Sequence, residues 1–200
     1  DAYPRDLERD LAQLAAFAGV QVFAPTVAEM YPQPLQTSVD LAPLGQILIG
    51  AARPGHFRGV ATVVTKLFNI VQPDRAYFGE KDYQQTLVVR DLASRLGAAG
   101  PEIIICEIAR EESGVARSSR NARLSGDGFL QASALSRALS EGCRLWRAEG
   151  ERDPAALETC IKAALEGPRD GIESSALQID YVAVRDPDLW TPERPAALAS

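Results

Sequence analysis

The chain has 200 residues, 46% of them hydrophobic and 24% charged, a composition typical of a soluble globular protein of one large or two small domains. Its net charge of -6 excludes a general affinity for nucleic acid or for an anionic membrane surface, because such partners are bound through clustered Lys and Arg. No run approaches the roughly 20 apolar residues of a membrane span, and the first residues show no signal-peptide pattern. We therefore expect a cytoplasmic protein.

The cysteines and the single histidine argue against a metal centre. Cys106, Cys143 and Cys160 are widely spaced on predicted apolar faces, and with one histidine they form no metal-ligand pattern. We expect three buried free thiols.

The N-terminal part of the chain predicts helices and short strands. Apolar residues recur at helical spacing over residues 3–18, and residues 20–24 read as a short strand. Thr26 followed three residues later by Glu29 matches a capping box for one helical turn. Residues 36–41 alternate as a second strand, so this part of the chain predicts an α/β unit.

A segment with two arginines and the only histidine precedes the next helix. Residues 52–59 break regular structure and present Arg53, His56 and Arg58 at the start of a helix predicted over 57–71. A histidine at a helix start often bonds only to backbone, which we favour for His56 considered alone. The arginines suit a solvated surface equally well. The buried side of the helix is predicted to carry Val60, Val64, Leu67, Phe68 and Val71.

A short polar segment has the strongest chemical character in the chain. Residues 76–78 form a short apolar strand, and Gly79 opens a polar turn into a helix on which Lys81, Asp82 and Gln85 share one face. Free N–H groups and the helix dipole make such a helix start a natural anion site, to which Lys81 adds a full charge. Ordinary solvated charges in a first helical turn are an equally good interpretation of these residues taken alone.

Helix and strand continue to alternate after this segment. A helix over 83–96 is followed by a β-branched strand over 102–108, which predicts a parallel sheet with helices on both faces. Ligands of such sheets bind at the carboxyl ends of the strands. Both the turn from Gly79 to Asp82 and the loop after Ile108 are predicted to lie there.

The loop from Arg110 to Asn121 is a third candidate. Ser118 and Ser119, between Arg117 and Arg120, offer hydroxyl donors and guanidinium groups suited to phosphate oxygens. A plain polar surface loop is the alternative, and we favour it for the loop considered in isolation.

The last part of the chain changes character. Helices predicted over 127–148 and 153–166 precede a half-buried strand over 177–185. We therefore divide the chain into an α/β domain at 1–112 and a small α+β domain at 113–200.

Several segments together resemble the pantothenate synthetase family, in sequence and in order. The resemblance spans nearly the whole chain, and its motifs are far more specific than a lone Gly-rich loop. The matching segments are Tyr-Pro-Arg at 3–5, Phe-Ala-Pro at 23–25, Met-Tyr-Pro at 30–32, the segment 53–74 that begins with Arg-Pro-Gly-His-Phe-Arg-Gly-Val, Gly-Glu-Lys-Asp-Tyr-Gln-Gln at 79–85 and Ser-Ser-Arg-Asn at 118–121.

The resemblance implies a Rossmann-like parallel sheet of the nucleotidylyl-transferase superfamily at 1–112, incomplete at its N-terminus, and a small α+β domain at 113–200 that closes over ATP. It also implies a reaction. Pantoate and β-alanine would be joined to give pantothenate through a pantoyl-adenylate, with ATP and Mg²⁺ as cofactors. The family further implies a homodimer.

The resemblance also implies roles for particular residues. Catalytic roles fall to Lys81, Ser118 and Arg120, which would hold phosphate oxygens as charge develops on them. Asp82 would bind Mg²⁺ together with ATP. The ATP-binding residues implied are Gly79, Glu80, Lys81, Asp82, Ala109, Arg117, Ser118, Ser119 and Arg120.

Other positions of the resemblance concern pantoate. Gln85 matches the glutamine that contacts pantoate, and Arg53 and His56 are possible supporting residues. No protein nucleophile is implied, because the substrate's own carboxylate and amine make the new bonds.

The chain also departs from the family's pattern. Ile49 stands where the family has a site-facing acid, Arg117 stands where Met or Leu precedes the two serines, and Ser113 stands where Asp precedes Gly114. The family's ATP-binding His-x-Gly-His turn is absent from these 200 residues. The chain thus resembles an internal fragment, and we expect little or no turnover from it alone. Two alternatives stay open: a truncated relative that binds nucleotide or partners without catalysis, and a related ligase for another hydroxy acid.

Overall fold

A computed structural model describes residues 5–97, 100–167 and 177–186 of the chain. The chain divides into two compact units, one up to Thr37 and the other from Ser38 onward. The domain boundary predicted between residues 112 and 113 stays a prediction.

The first unit begins with helix α1 (Leu7–Leu14). The Asp6 carboxylate caps it by accepting a hydrogen bond from the Arg9 N–H at 2.9 Å. The helix ends well before residue 18, where the sequence predicted its end. None of its side chains is buried among the described residues, and a short helix without a buried face is only marginally stable.

Helix α2 (Val27–Met30) confirms the predicted capping box. The Thr26 hydroxyl accepts from the Glu29 N–H at 3.2 Å, and the Glu29 carboxylate accepts from the Thr26 N–H at 2.7 Å. The backbone hydrogen bond from Thr26 lowers the pKa of the Glu29 carboxyl. The strands predicted at 20–24 and 36–41 are wrong: neither segment pairs in a ladder with any described residue, and an extended run becomes a strand only beside a partner.

The second unit contains a parallel pair of strands, β1 (Arg75–Gly79) and β2 (Glu102–Cys106), which confirms the predicted parallel sheet. Three helices precede or separate these strands: α3 (Ile49–Ala52), α4 (His56–Val71) and α5 (Tyr83–Arg95). The predicted helices over 57–71 and 83–96 are therefore confirmed to within a residue at each end.

One apolar core joins α4, α5 and the sheet. Phe57, Val88 and Val89 are its most deeply buried large side chains, and half-buried Ala76, Phe78 and Ile103 pack against it from the strands. The predicted buried side of α4 is partly wrong, because Val71 is 54% exposed in the last turn of the helix. The buried members of the core are Leu41, Phe57, Ala61, Val64, Phe68, Val88, Val89, Leu92 and Ala93.

Two long helices form a second core. Helix α6 (Gly126–Ala148) packs on α7 (Pro154–Glu166), which begins with the predicted Asp153 cap and Pro154 in its first turn. The strand predicted over 177–185 is wrong. Its apolar side chains still pack on these helices, but the Val184 N–H donates to the Glu158 carboxylate at 2.8 Å and not to a neighbouring strand.

The cysteines are free thiols, as predicted, but they are not all buried. Cys106 ends β2 and is exposed, Cys143 is exposed on α6, and Cys160 is half-buried on α7. Within the described ranges, no helix is both long and apolar enough to cross a membrane.

Candidate functional site

The turn after β1 carries the charged residues Glu80, Lys81 and Asp82. Gly79 ends the strand, a 3-10 turn runs over Glu80–Asp82, and α5 begins at Tyr83. Lys81 and Asp82 therefore precede the helix. The prediction that they share a helix face with Gln85 is wrong. The Lys81 ammonium lies 3.6 Å from an Asp82 carboxylate oxygen, and the two side chains are 40% and 58% exposed.

The start of α5 has no side-chain cap. Asp82 occupies the cap position, but its carboxylate accepts no capping hydrogen bond from the helix. The positive end of the helix dipole thus lies directly beside Lys81, and both features favour an anion there.

The sheet register places the two predicted loops at one edge. Gly79 lies opposite Cys106 in the parallel ladder, so the segments that follow β1 and β2 leave the sheet side by side. Ala109, three residues beyond β2, accepts a hydrogen bond from the Arg117 N–H at 2.8 Å. The sequence-predicted residues Ala109 and Arg117 are therefore in direct contact.

The first half of the loop from Arg110 to Asn121 is an ordered turn. Arg110 and Ala116 form an antiparallel bridge, and the Glu111 N–H donates to the Val115 carbonyl at 2.8 Å. Gly114 has φ +84°, and an added Cβ there would lie 2.6 Å from the Ser136 hydroxyl, so only glycine fits.

Arg117 and Ser113, which depart from the family's pattern, both interact with nearby residues of the same turn. The Arg117 guanidinium pairs with the Glu111 carboxylate at 3.3 Å, and the Ser113 hydroxyl lies 3.5 Å from the Val115 N–H as an acceptor. The Arg117 charge is therefore shared with Glu111 and is not presented to a ligand alone.

The second half of the loop holds the predicted phosphate-binding residues. Ser118 caps a short 3-10 helix over Ser119–Arg123 by accepting from the Arg120 N–H at 3.2 Å. The Asn121 side-chain amide donates to the Ala116 carbonyl at 3.0 Å and ties this helix to the ordered turn. Ser118 is half-buried, whereas Ser119 and Arg120 are exposed.

Arg53 directly follows α3, and His56 is the first residue of α4. Arg53 is the C-cap of α3, and its carbonyl accepts from the His56 N–H at 3.0 Å. The His56 ring packs edge-on against Phe57, with ring centroids 4.9 Å apart. The Arg53 charge also reaches the C-terminal part of this unit: burial raises the pKa of Tyr181, Asp180 adds to the rise, and Arg53 opposes it.

A polar cavity of about 460 Å³ lies beside this segment. Its charged groups are Asp40 and Arg58. The other residues that line it are Gly45, Gln46, Gly50, Ala51, Pro54 and Gly55. Ile49, which replaces an acid of the family's pattern, is half-buried and packs against the core of this unit.

The sequence analysis did not single out Gln84, whose buried side-chain amide makes three hydrogen bonds. The residue is 4% exposed, and its amide makes hydrogen bonds to three backbone groups of the segment Leu44–Ile49. The signal was available: Gln84 precedes Val88 and Leu92 at helical spacing on the apolar face of α5, where a polar side chain requires buried partners.

A family model described as pantoate-beta-alanine ligase matches residues 1–199. The chain belongs to this family. The family prediction is thereby confirmed. A pantothenate synthetase from Agrobacterium fabrum is 51% identical over 191 residues, which is 95% of this chain and 62% of that protein.

Two solved structures of the pantoate-beta-alanine ligase family confirm the predicted α/β fold. The crystal structure of pantothenate synthetase from Thermus thermophilus has a TM-score of 0.75 and 49% identity, covering 82% of this chain and 59% of that one. The pantoate-beta-alanine ligase from Francisella tularensis, complexed with beta-gamma ATP and beta-alanine, has a TM-score of 0.67 and 31% identity, covering 81% and 59%. This chain thus spans 59–62% of the length of these three relatives.

Proposed function

We propose that this chain supplies the ATP- and pantoate-binding part of a ligase that joins pantoate to β-alanine. The family match over residues 1–199 supports the reaction, and the Francisella relative is complexed with beta-gamma ATP and beta-alanine. The observation that carries the proposal for this chain is the position of Lys81. It lies on an exposed turn at the carboxyl edge of a parallel sheet, beside a helix start that has no side-chain cap.

The proposed first step transfers an adenylyl group. A pantoate carboxylate oxygen bonds to the α-phosphorus of ATP, and the bond from that phosphorus to pyrophosphate breaks. Negative charge then grows on the leaving pyrophosphate, where the Lys81 ammonium, the Ser118 hydroxyl and the Arg120 guanidinium would stabilise it. Gly79, Glu80, Ala109, Arg117 and Ser119 would complete the ATP site.

In the proposed second step, the β-alanine amine attacks the acyl carbon of the pantoyl-adenylate, and AMP leaves. The half-buried Gln85 follows Gln84 in the first turn of α5 and would bind pantoate through its amide. Arg53 and His56 would support the same substrate.

Asp82 would hold Mg²⁺ only in company with ATP. The described ranges contain no group of three or more carboxylate, imidazole or thiol side chains that could hold a metal ion. Mg²⁺ is commonly bound by one or two carboxylates together with substrate phosphates and water. The single exposed carboxylate of Asp82 beside Lys81 fits that donor set. The ion would neutralise phosphate charge when bound.

We also propose, from the family alone, that the protein is a homodimer and acts in the cytoplasm, where ATP is supplied. Nucleic acid is not among its proposed partners, because the net charge is -6.

The proposal is tested by equilibrium dialysis of the chain with ATP plus Mg²⁺ and with pantoate. We expect both to bind, and lactate, a smaller hydroxy acid, to bind much more weakly than pantoate. Binding of ATP without pantoate would favour a nucleotide-binding relative. Preference for another hydroxy acid would favour a related ligase.

A further inference from the structure

Gln84 connects two segments that carry candidate site residues. Its side-chain N–H groups donate to the Leu44 carbonyl at 2.9 Å and to the Ile47 carbonyl at 2.8 Å. Its carbonyl oxygen accepts from the Ile49 N–H at 3.2 Å. A buried amide that uses both donors and its acceptor on one distant segment fixes that segment relative to its own helix.

The Ile49 N–H has no local partner to replace Gln84. Ile49 is the first residue of α3, where an N–H has no acceptor within the helix. The preceding residue, Leu48, has an apolar side chain and a left-handed φ of +47°, so it cannot cap the helix. The Gln84 oxygen performs that capping from α5.

A continuous chain of hydrogen bonds runs from Gln84 to the candidate residues. The Ile49 carbonyl accepts from the Arg53 N–H at 2.8 Å, and the Arg53 carbonyl accepts from the His56 N–H at 3.0 Å. The segment is also closely packed, since a Cβ added at Gly50 would lie 2.1 Å from the Gly45 carbonyl oxygen.

We propose that Gln84 is a positioning residue of the pantoate site. Along the chain, Gln84 lies between Lys81 and Gln85. Through its hydrogen bonds to the segment Leu44–Ile49, it also holds Arg53 and His56 in place. Its amide therefore sets the distance between these two pairs of residues. This inference rests on the proposed function, because it assumes that these groups face pantoate. Gln84 itself touches no substrate in this proposal.

The test compares Gln84→Met with Thr86→Val in the 200-residue chain. Methionine has nearly the shape of glutamine but no amide. Thr86 is also buried in α5, 1% exposed, and its hydroxyl donates to the Tyr83 carbonyl at 2.7 Å within the same helix. Thr86→Val thus removes a buried hydrogen bond without touching the segment Leu44–Ile49.

Two measurements are required. In hydrogen exchange, Gln84→Met is expected to speed exchange of the Ile49, Arg53 and His56 amides about tenfold or more, with the amides of the α5 core unchanged. In equilibrium dialysis, it is expected to raise the Kd for pantoate about tenfold while the Kd for ATP stays within about twofold. Thr86→Val is expected to change neither Kd.

The outcomes separate this inference from the proposed function. A parent chain that binds neither ATP nor pantoate overturns the proposed function, and the positioning role with it. A parent chain that binds both, with an unchanged pantoate Kd in Gln84→Met, overturns the positioning role alone. If Gln84→Met does not fold, Gln84→Glu takes its place: it keeps the acceptor for Ile49, removes at least one of the two donors, and is expected to show the same selective loss of pantoate affinity.

Discussion

The ammonium of Lys81 forms a weak ion pair with the Asp82 carboxylate. Its pair with Asp82, at 3.6 Å, is exposed to solvent on both sides. Exposed pairs of this kind contribute about 0 to 1 kcal/mol, so a phosphate group can take the place of Asp82 with little loss. The turn over Glu80–Asp82 thus holds the Lys81 ammonium in one place but pairs it only weakly, so the ammonium can bind a phosphate group.

Lys81→Ala is expected to slow pantoate-dependent pyrophosphate release by about 10² to 10³, because one preorganised contact to the transferring phosphoryl group is typically worth ~3 to 4 kcal/mol. The measurement is the initial rate of pyrophosphate release in a form of the protein that turns over. Lys162→Ala is the control, since Lys162 is exposed on α7 beside Glu166. A rate within a few-fold of the parent would show that the turn after β1 has been assigned wrongly.

At the scale of elements, the loop from Arg110 to Asn121 divides into two parts of different order. Val115 is 6% exposed, and the turn around it has three backbone hydrogen bonds of its own, from Glu111, Gly114 and Arg117. The residues from Ser118 onward bury little apolar area. Phosphate contacts would therefore have to supply the free energy that orders them.

We expect hydrogen exchange to be slow over 111–117 with or without nucleotide. Over 118–121 it should be fast without nucleotide and slow when ATP and Mg²⁺ saturate the chain. The measurement is exchange followed by mass spectrometry of short peptides from this loop. Fast exchange over 118–121 that saturating ATP leaves unchanged would count against a phosphate-binding role for Ser118, Ser119 and Arg120.

The contact between α6 and α7 depends on one small residue. A Cβ added at Gly142 would lie 2.6 Å from the Ile161 side chain, inside the second core. A Cβ added at Gly59 in α4 would meet nothing within 4 Å. The two glycines therefore form a matched pair: both lie within helices, but a side chain added at Gly142 would be crowded and one added at Gly59 would not.

Gly142→Ala is expected to lower the free energy of unfolding, because overpacking a core costs about 1 to 3 kcal/mol and exceeds the gain from helix propensity. Gly59→Ala is expected to raise it by about 0.5 to 1 kcal/mol, since alanine has less conformational freedom to lose on folding. Urea unfolding of both variants measures the difference. Equal effects of the same sign would contradict the close approach of α6 to Ile161.

At the scale of the whole molecule, the described residues leave much apolar surface exposed. The sheet described has two strands, and Tyr77 in β1 is 64% exposed. In the first unit, Leu7, Leu11 and Phe17 are 52%, 43% and 64% exposed. Strand edges and apolar faces of this kind favour association with other chains.

We expect residues 1–200 expressed alone to form little or no pantothenate and to self-associate. In the proposed mechanism, adenylation needs both sides of the triphosphate held, and Lys81 and Ser118 to Arg120 would hold only one of them. His56 cannot replace the family's histidine turn, because it belongs to a different motif of the same family. Pantoate-dependent AMP formation is measured together with light scattering. AMP release at the rate of an intact enzyme, from a monodisperse particle, would contradict this expectation.

The sequence by itself determined the helices with strong periodicity, the capping box at Thr26, the parallel pairing of the sheet and the family. The helices, the capping box and the family depend on local spacing or on motifs, which a single sequence displays directly, and the parallel pairing follows from the alternation of helix and strand along the chain. The tertiary structure decided the rest. Residues 20–24, 36–41 and 177–185 have the alternation of strands but no ladder partner among the described residues, and a ladder is a property of two segments. The sequence shows Gln84 as a polar residue on the apolar face of α5, but only the tertiary structure decided that its partners lie in the segment Leu44–Ile49, because hydrogen bonds between residues 35 to 40 positions apart leave no mark in local spacing.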